Sequence, residues 1–487
     1  MTRQLYDHQL RAIELLRQSL RSGHTRPMLM APTGFGKTLT ASQIIRNALD
    51  KGKKVAFTVP SISLIDQTVE EFGKEGITQI GVVQADHPLT DASQPVQVCS
   101  VQTLNRRQFP WVDLVLVDEA HEQHKAIWRW MMERQSIPFI GLSATPWSRG
   151  LGRHYDDLLI AATTRDLIDR GYLSKFRVFA PTHPDLKGVH TVAGDYHEGE
   201  LAAAMDKPTL TADIVSTWMR LGENRPTFCF AVNRAHARSL EAEFERAGVT
   251  TGYIDAYTER EERTRIGLAF NAGRIKVVVN VGVLTRGIDW DVRCLVMARP
   301  TKSEQLFVQI IGRALRNAPG KEDALILDHS DTTLKLGFVM DIHHEHLDTE
   351  RPIEASSRRP EKAVKVPKEC PSCHFLKPAG VHKCPDCGFE PVRRQSVETV
   401  DGDLVQLSGK ARTFTQVEKQ RFWSGLLWYV ENRGKSDGWA AHKYKDRFGV
   451  WPRGLRAIAM EPDQLCRNWV KAAAIKWAKA QERAHAA

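Results

Sequence analysis

Ala31-Pro32-Thr33-Gly34-Phe35-Gly36-Lys37-Thr38 is the stretch from which the rest of the chain reads. It follows the apolar run Met28-Leu29-Met30 and precedes Leu39 to Ile45, whose spacing predicts a helix. Strand, glycine-rich loop and helix is the context in which a backbone cradles phosphate. Gly34 and Gly36 let N–H groups turn toward an anion, and the helix N-terminus adds its positive dipole end. Lys37 then reaches β- and γ-phosphates, and the Thr38 hydroxyl reaches Mg²⁺. Ala31 stands where the general pattern has glycine. An ordinary glycine-rich turn is the competing reading, and the downstream sequence decides between them.

Leu114-Val115-Leu116-Val117 is too apolar for a half-exposed strand and predicts a central parallel strand buried on both faces. Asp118-Glu119-Ala120-His121 follows, so two carboxylates fall where open α/β sheets bind ligands. Asp118 suits the Mg²⁺ shell and Glu119 the attacking water. Val55 to Pro60 and Val96 to Cys99 are further strand-like runs that release Ser61 and Ser100 at their ends. Those hydroxyls suit either phosphate-backbone contacts or helix capping. Phe139 to Leu142 ends in Ser143-Ala144-Thr145-Pro146. Near the start, Tyr6-Asp7-His8-Gln9 opens a helix expected to turn Leu10, Ile13, Leu15 and Leu16 inward. The amide of Gln9 has the donor and acceptor needed for an adenine edge.

A second α/β unit without its own phosphate loop follows. Pro226 to Ala231 and Lys276 to Asn280 read as strands, the second leading into Val283-Leu284-Thr285-Arg286-Gly287-Ile288-Asp289. Gln309-Ile310-Ile311-Gly312-Arg313-Ala314-Leu315-Arg316 places Gln309, Arg313 and Arg316 on one face of an expected helix. Arginine suits phosphate because its fork binds two oxygens and keeps its charge.

The motif series Ala-x-x-Gly-x-Gly-Lys-Thr, Asp-Glu-Ala-His, Ser-Ala-Thr-Pro and Gln-x-x-Gly-Arg-x-x-Arg resembles the superfamily 2 helicases of the DEAH-type grouping. The resemblance implies an α/β fold of two tandem RecA-like parallel-sheet lobes with ATP in the cleft between them. It implies that Gln9 reads adenine, and that Ser143 and Thr145 couple hydrolysis to nucleic-acid movement. It further implies Thr285 and Arg286 near nucleic acid, Asp289 coupled to nucleotide, and Arg313 and Arg316 as arginine fingers. Pro60-Ser61 resembles the family's backbone-contact motif, with Ile62 where arginine is common. Trp290 stands where apolar residues or proline often occur.

Charge is unevenly spread. Of the net +10, residues 351–487 carry 26 Lys+Arg against 15 Asp+Glu, giving +11, so the tail is expected to meet an anionic polymer. Residues 351–369 read as a linker. Cys370-Pro371-Ser372-Cys373 and Cys384-Pro385-Asp386-Cys387 have the spacing of a four-cysteine zinc ribbon; a redox dithiol pair or an iron–sulfur site are the alternatives. Four thiolates close a tetrahedron, which makes Zn²⁺ structural there, with His374 and His382 outside it.

The final region is expected to be mainly helical and basic. Trp423, Trp428, Trp439, Trp451, Trp469 and Trp477 are interleaved with Lys and Arg. They read either as stacking faces for unpaired bases or as a small packed core. Lobes, zinc ribbon and tail together resemble bacterial and phage helicases of the RadD type, which implies action on DNA in repair, recombination or phage replication. The expected organisation is 1–165 and 175–345 for the lobes, 370–390 for the ribbon and 410–487 for the tail. The expected partner is single-stranded or forked DNA. An RNA helicase, a restriction-type translocase subunit and an ATP-switched adaptor are the competing functions. No run of about 18 apolar residues and no signal-peptide core is found, so the expectation is a cytoplasmic protein without a membrane partner.

Overall fold

The computed structural model describes residues 3–84, 86–285, 290–349, 366–390, 414–470 and 473. The first lobe is one parallel sheet of β1 (Pro27–Met30), β2 (Val55–Val59), β3 (Ile80–Val83), β4 (Val96–Ser100), β5 (Leu114–Asp118), β6 (Phe139–Ser143) and β7 (Asp157–Ile160). The spatial order is β3-β4-β2-β5-β6-β1-β7, so β5 lies at the centre, as its four aliphatic residues require. Alternate residues feed opposite faces. Leu29, Phe57 and Leu116 pack under the helices Asp7–Arg21, Lys37–Leu49 and Ile65–Lys74. Met28, Ala56, Val115 and Val117 pack against Ile127, Trp130 and Met131 of Lys125–Glu133. Because every strand runs the same way, Met30, Val59, Ser100, Asp118 and Ser143 all end at one edge.

The first helix is rolled from its expected orientation. His8 and Gln9 are buried, whereas Leu10 is 56% exposed. The carbonyl of Phe35 draws the two polar side chains inward, since His8 Nε2 lies 3.1 Å and Gln9 Nε2 2.9 Å from it.

The second lobe contains β8 (Lys175–Phe179), the small hairpin β9 (Thr191–Val192) and β10 (Asp195–Tyr196), then β11 (Thr227–Phe230), β12 (Thr251–Ile254), β13 (Val277–Asn280), β14 (Cys294–Met297) and β15 (Asp323–Asp328). Outside the hairpin these form a parallel sheet ordered β12-β13-β11-β14-β15-β8. One buried apolar cluster runs from Leu29 and Leu116 in the first sheet to Phe228, Leu295 and Phe307 in the second lobe.

The short antiparallel pair β16 (Lys368–Glu369) and β17 (Leu376–Lys377) carries the cysteine knuckles. It sits on the otherwise unpaired side of the edge strand β8. Phe375 bridges Phe179, their rings 5.5 Å apart, and Ala180 N–H donates to His374 O at 3.0 Å. Residues 351–365 of the expected linker lie outside the described residues.

The C-terminal unit is described by itself. Its helices Gln416–Arg433 and Asp437–Phe448 bury Phe422, Trp423, Leu426, Tyr444 and Cys466 together. Trp439 and Trp469 pack against this cluster. Trp451 is 40% exposed, with Lys445 Nζ 4.5 Å from its ring centre. Packing therefore accounts for Trp423, Trp439 and Trp469, while Trp451 presents a face; Trp477 lies outside the described residues.

Candidate functional site

The phosphate loop leaves β1 and enters the helix Lys37–Leu49 through Gly36, which is left-handed at φ 84°. That conformation favours glycine, and a Cβ there would also lie 2.3 Å from Gln9 Nε2 and displace its amide. Lys37 Nζ lies 3.5 Å from Asp118 Oδ1 and also pairs with Glu119. Burial alone lowers the Lys37 pKa, but Glu119 and Asp118 more than offset it and hold it above its ordinary value. Burial raises the Asp118 pKa; Lys37 pulls it down and Glu119 pushes it up again.

The second lobe closes the cleft with its helix Glu304–Leu315. A Cβ at Gly312 would lie 2.5 Å from Thr33 Oγ1, so this helix reaches the phosphate loop itself. Arg313 Nε donates to Thr285 O at 2.9 Å. The helix stops one residue short of its expected face. Arg316 is the C-cap, extended at ψ 136°, and bridges Leu173. Lys321 causes this turn: its Nζ donates to Arg316 O at 2.7 Å, to Val292 O at 2.8 Å and to Ala314 O. Burial pulls the Lys321 pKa down to about 8. Nothing in the local sequence marks Lys321, because its three partners meet only in the folded chain.

Gln9, Gly34, Gly36, Lys37, Thr38, Asp118 and Glu119 from one lobe line a cleft of about 810 Å³ together with Thr285, Gln309, Arg313 and Arg316 from the other. Gln9 has its amide engaged, since Tyr6 N–H donates to its Oε1 at 2.9 Å while its Nε2 serves Phe35 O.

Behind the cleft, His121 Nδ1 lies 2.8 Å from Ser143 Oγ and 3.3 Å from Glu119 Oε2, and Gln309 Nε2 lies 3.3 Å from His121 Nε2. His121 thus joins the carboxylate segment, the Ser-Ala-Thr-Pro segment and the second lobe, a junction its position in Asp-Glu-Ala-His only hinted at. Thr145 is fully buried.

Ser61 and Ser100 lie apart from the cleft lining. Ser61 Oγ meets Ser63 Oγ at 2.8 Å, Ser100 Oγ is buried without a hydrogen-bond partner among the described residues, and neither side chain caps the helix it precedes. Arg286 and Asp289 lie outside the described residues. Trp290 packs between Phe228 and Phe270, 5.6 Å from each ring, and so belongs to the second-lobe core.

The four cysteine Sγ atoms lie within 4.8 Å of one another, with Cys370–Cys387 and Cys373–Cys384 at 3.7 Å. Thiolates about 2.3 Å from a tetrahedral zinc would stand about 3.8 Å apart, so the donor set fits. His374 is held by Glu369 at 2.6 Å instead.

Residues 2–148 match the family model described as Type III restriction enzyme, res subunit, and residues 207–318 match the Helicase conserved C-terminal domain. The chain belongs to the superfamily 2 helicases of the DExH type. This helicase is 28% identical over 369 residues to a 51.5 kDa protein of Lactococcus phage (isolate 7-9), covering 74% of this chain and 78% of that one. It is 29% identical over 354 residues to IRC3 of Saccharomyces cerevisiae, by name a candidate ATP-dependent helicase. That match covers 66% of this chain and 51% of the yeast protein, so the chain spans about half of that relative's length. Among solved structures, the ATP-dependent Type ISP restriction-modification enzyme LlaBIII bound to DNA shares the fold at TM-score 0.52 and 19% identity, over 67% of this chain and 28% of that one. Helicase domains imply ATP as the nucleotide and ATP hydrolysis as the activity. Among the described residues no helix is long and apolar enough to cross a membrane.

Proposed function

We propose that this helicase is a DNA-stimulated ATP motor whose lobes step along a strand as the cleft opens and closes. The observation that carries the reading is the composition of the cleft: Lys37, Asp118 and Glu119 come from one lobe and Arg313 and Arg316 from the other. Lys37 exchanges its carboxylate partners for β- and γ-phosphate oxygens. Asp118 and Thr38 would hold Mg²⁺, which when bound would neutralise phosphate charge. Glu119 orients the attacking water and takes its proton, and Arg313 and Arg316 stabilise the charge that develops on the transferred phosphoryl group. Turnover then requires the lobes to meet, which is what converts an ATPase into a motor. Gln9 positions the phosphate loop and offers the nucleotide base its remaining acceptor capacity. Thr285, Arg286 and Asp289 are assigned to the link between nucleotide and nucleic acid, and Ser61 to backbone phosphates, whereas the fully buried Ser100 offers them no surface.

The DNA-bound state of LlaBIII favours DNA, whereas the basic tail suits the phosphates of either nucleic acid. Cys370, Cys373, Cys384 and Cys387 are assigned to one structural Zn²⁺. The zinc knuckles and tail favour a RadD-type role in DNA repair or recombination. ATP turnover titrated in parallel with single-stranded, duplex and forked DNA and with RNA tests the reading. The expectation is stimulation by DNA, lost in Lys37→Ala. Stimulation by RNA alone moves the substrate to RNA, and turnover indifferent to every nucleic acid overturns the motor.

A further inference from the structure

The loop 145–152, which follows β6, is gripped from three sides. Within the first lobe, Ser148 Oγ donates to His121 O at 2.6 Å, and Gln123 Nε2 donates to Arg149 O at 2.7 Å. From the second lobe, Gln305 Nε2 donates to Thr145 O at 3.2 Å and to Ser148 Oγ at 2.9 Å. The third grip comes from residues 338–349, where the chain has completed the second sheet and crosses back to the first lobe. Gly150 N–H donates to Asp348 Oδ1 at 3.0 Å, and Gly152 N–H donates to Asp348 O at 2.8 Å. The His344 ring lies 5.0 Å from that of Trp147, while its Nε2 lies 2.7 Å from Glu304 Oε2 in the second lobe. Leu347 packs against the first-lobe cluster that contains Leu151 and Tyr155. A Cβ at Gly152 would lie 2.9 Å from Thr349 Cγ2 and 3.1 Å from Asp348 O, so glycine is what lets the crossing segment lie this close.

We infer that loop 145–152 is an interlobe clasp, with Gln305 and Asp348 as positioning residues that transmit movement of the second lobe to the Asp118–His121 segment. The inference rests on the motor reading and deepens it. The loop continues directly from Ser143 and Thr145 and bonds the carbonyl of His121, so displacement of Gln305 or Asp348 pulls on the backbone beside Glu119. Neither Gln305 nor Asp348 lines the nucleotide cleft, so their effect runs through the loop.

The full-length chain is assayed as Gln305→Ala, Asp348→Ala, Asp348→Asn and the Gln305→Ala/Asp348→Ala pair. Each alanine variant is expected to lower the ratio of DNA-stimulated to basal turnover at least about fivefold. The KM for ATP is expected to stay within about twofold. The double variant should be no worse than the weaker single, because both act on one loop. Asp348→Asn keeps the acceptor oxygen and should restore the ratio. Equal loss of basal and stimulated turnover, additive losses, or failure of Asp348→Asn to rescue overturns the clasp. Amide exchange supplies a readout independent of DNA: Gly150 should exchange faster in Asp348→Ala and at the wild-type rate in Asp348→Asn. If wild-type turnover ignores DNA, the motor reading falls. The clasp is then decided by that exchange, and an unchanged Gly150 rate in Asp348→Ala overturns it.

Discussion

Lys321 shows how a residue outside every motif sets the position of one inside. Its ammonium satisfies three backbone carbonyls where the helix Glu304–Leu315 ends, and the chain turns there to send Arg316 into the cleft. Lys321→Met leaves those acceptors unmet, with an expected loss of about 1–3 kcal/mol and a fall in kcat larger than the change in KM for ATP. Denaturant unfolding and steady-state kinetics check both. The pH dependence has a definite sign. The folded pKa near 8 lies below the ordinary 10.5, so between these values the unfolded chain binds the extra proton. The Lys321 contribution to stability therefore grows as pH rises from about 8 to 10.5 and is lost as pH falls through 8. The stability gap between wild type and Lys321→Met should widen from pH 7 to pH 9.5; a constant gap contradicts the buried-ammonium account. Lys37, Asp118 and Glu119, by contrast, were legible residue by residue, because a phosphate loop and a strand-end carboxylate pair depend on local sequence.

Elements divide in the same way. β5 was readable as a central strand because four consecutive aliphatics tolerate no exposed face. The helix Asp7–Arg21 was readable as a helix, but its rotation was not. Apolar periodicity points Leu10 inward, and the bonds from His8 and Gln9 to Phe35 O override it. The cysteine knuckles were readable from spacing alone, whereas their place against β8 depends on Phe375 meeting Phe179. Metal analysis should return one zinc per chain. Chelation, or Cys370→Ala, should remove the order of the module, since metal binding of about 10–16 kcal/mol is available to hold so small a core. Because β8 is an edge strand, its amides should then lose exchange protection while those of β5 keep theirs. Protection of β8 that survives metal loss would show that the module does not depend on the ion.

At the scale of the molecule, charge and packing separate. Beyond residue 393 the described residues form a compact unit of their own, and the sequence 394–487 carries 17 Lys+Arg against 10 Asp+Glu. A chain ending at residue 393 keeps the cysteine module on β8, whereas a cut at 350 removes it. The cut at 393 is expected to weaken DNA binding and flatten its salt dependence, by about 0.7 in the log–log slope for each single-strand phosphate that the tail would otherwise neutralise. Titrations at several salt concentrations measure the slope. An unchanged slope would show that the tail's Lys and Arg neutralise no phosphate, and an unchanged affinity would assign the tail's aromatics to packing of the kind seen for Trp423 and Trp469.

The amino-acid sequence by itself determined the phosphate loop, the carboxylate pair, the arginine pair and the cysteine knuckles. Each is a short pattern whose chemistry is complete within a few residues, and together they imply two lobes. Only the tertiary structure decided how those patterns meet. Arg316 lies off its helix, His121 stands at a three-way junction, and segment 338–349 returns to grip the loop beyond Ser143. The physical reason is that the Arg316 turn and the 338–349 grip depend on backbone carbonyls and amides, which every residue carries alike. The His121 junction depends on side chains far apart in sequence that meet only in the folded chain. A sequence names side chains, whereas folding selects which anonymous backbone groups they find.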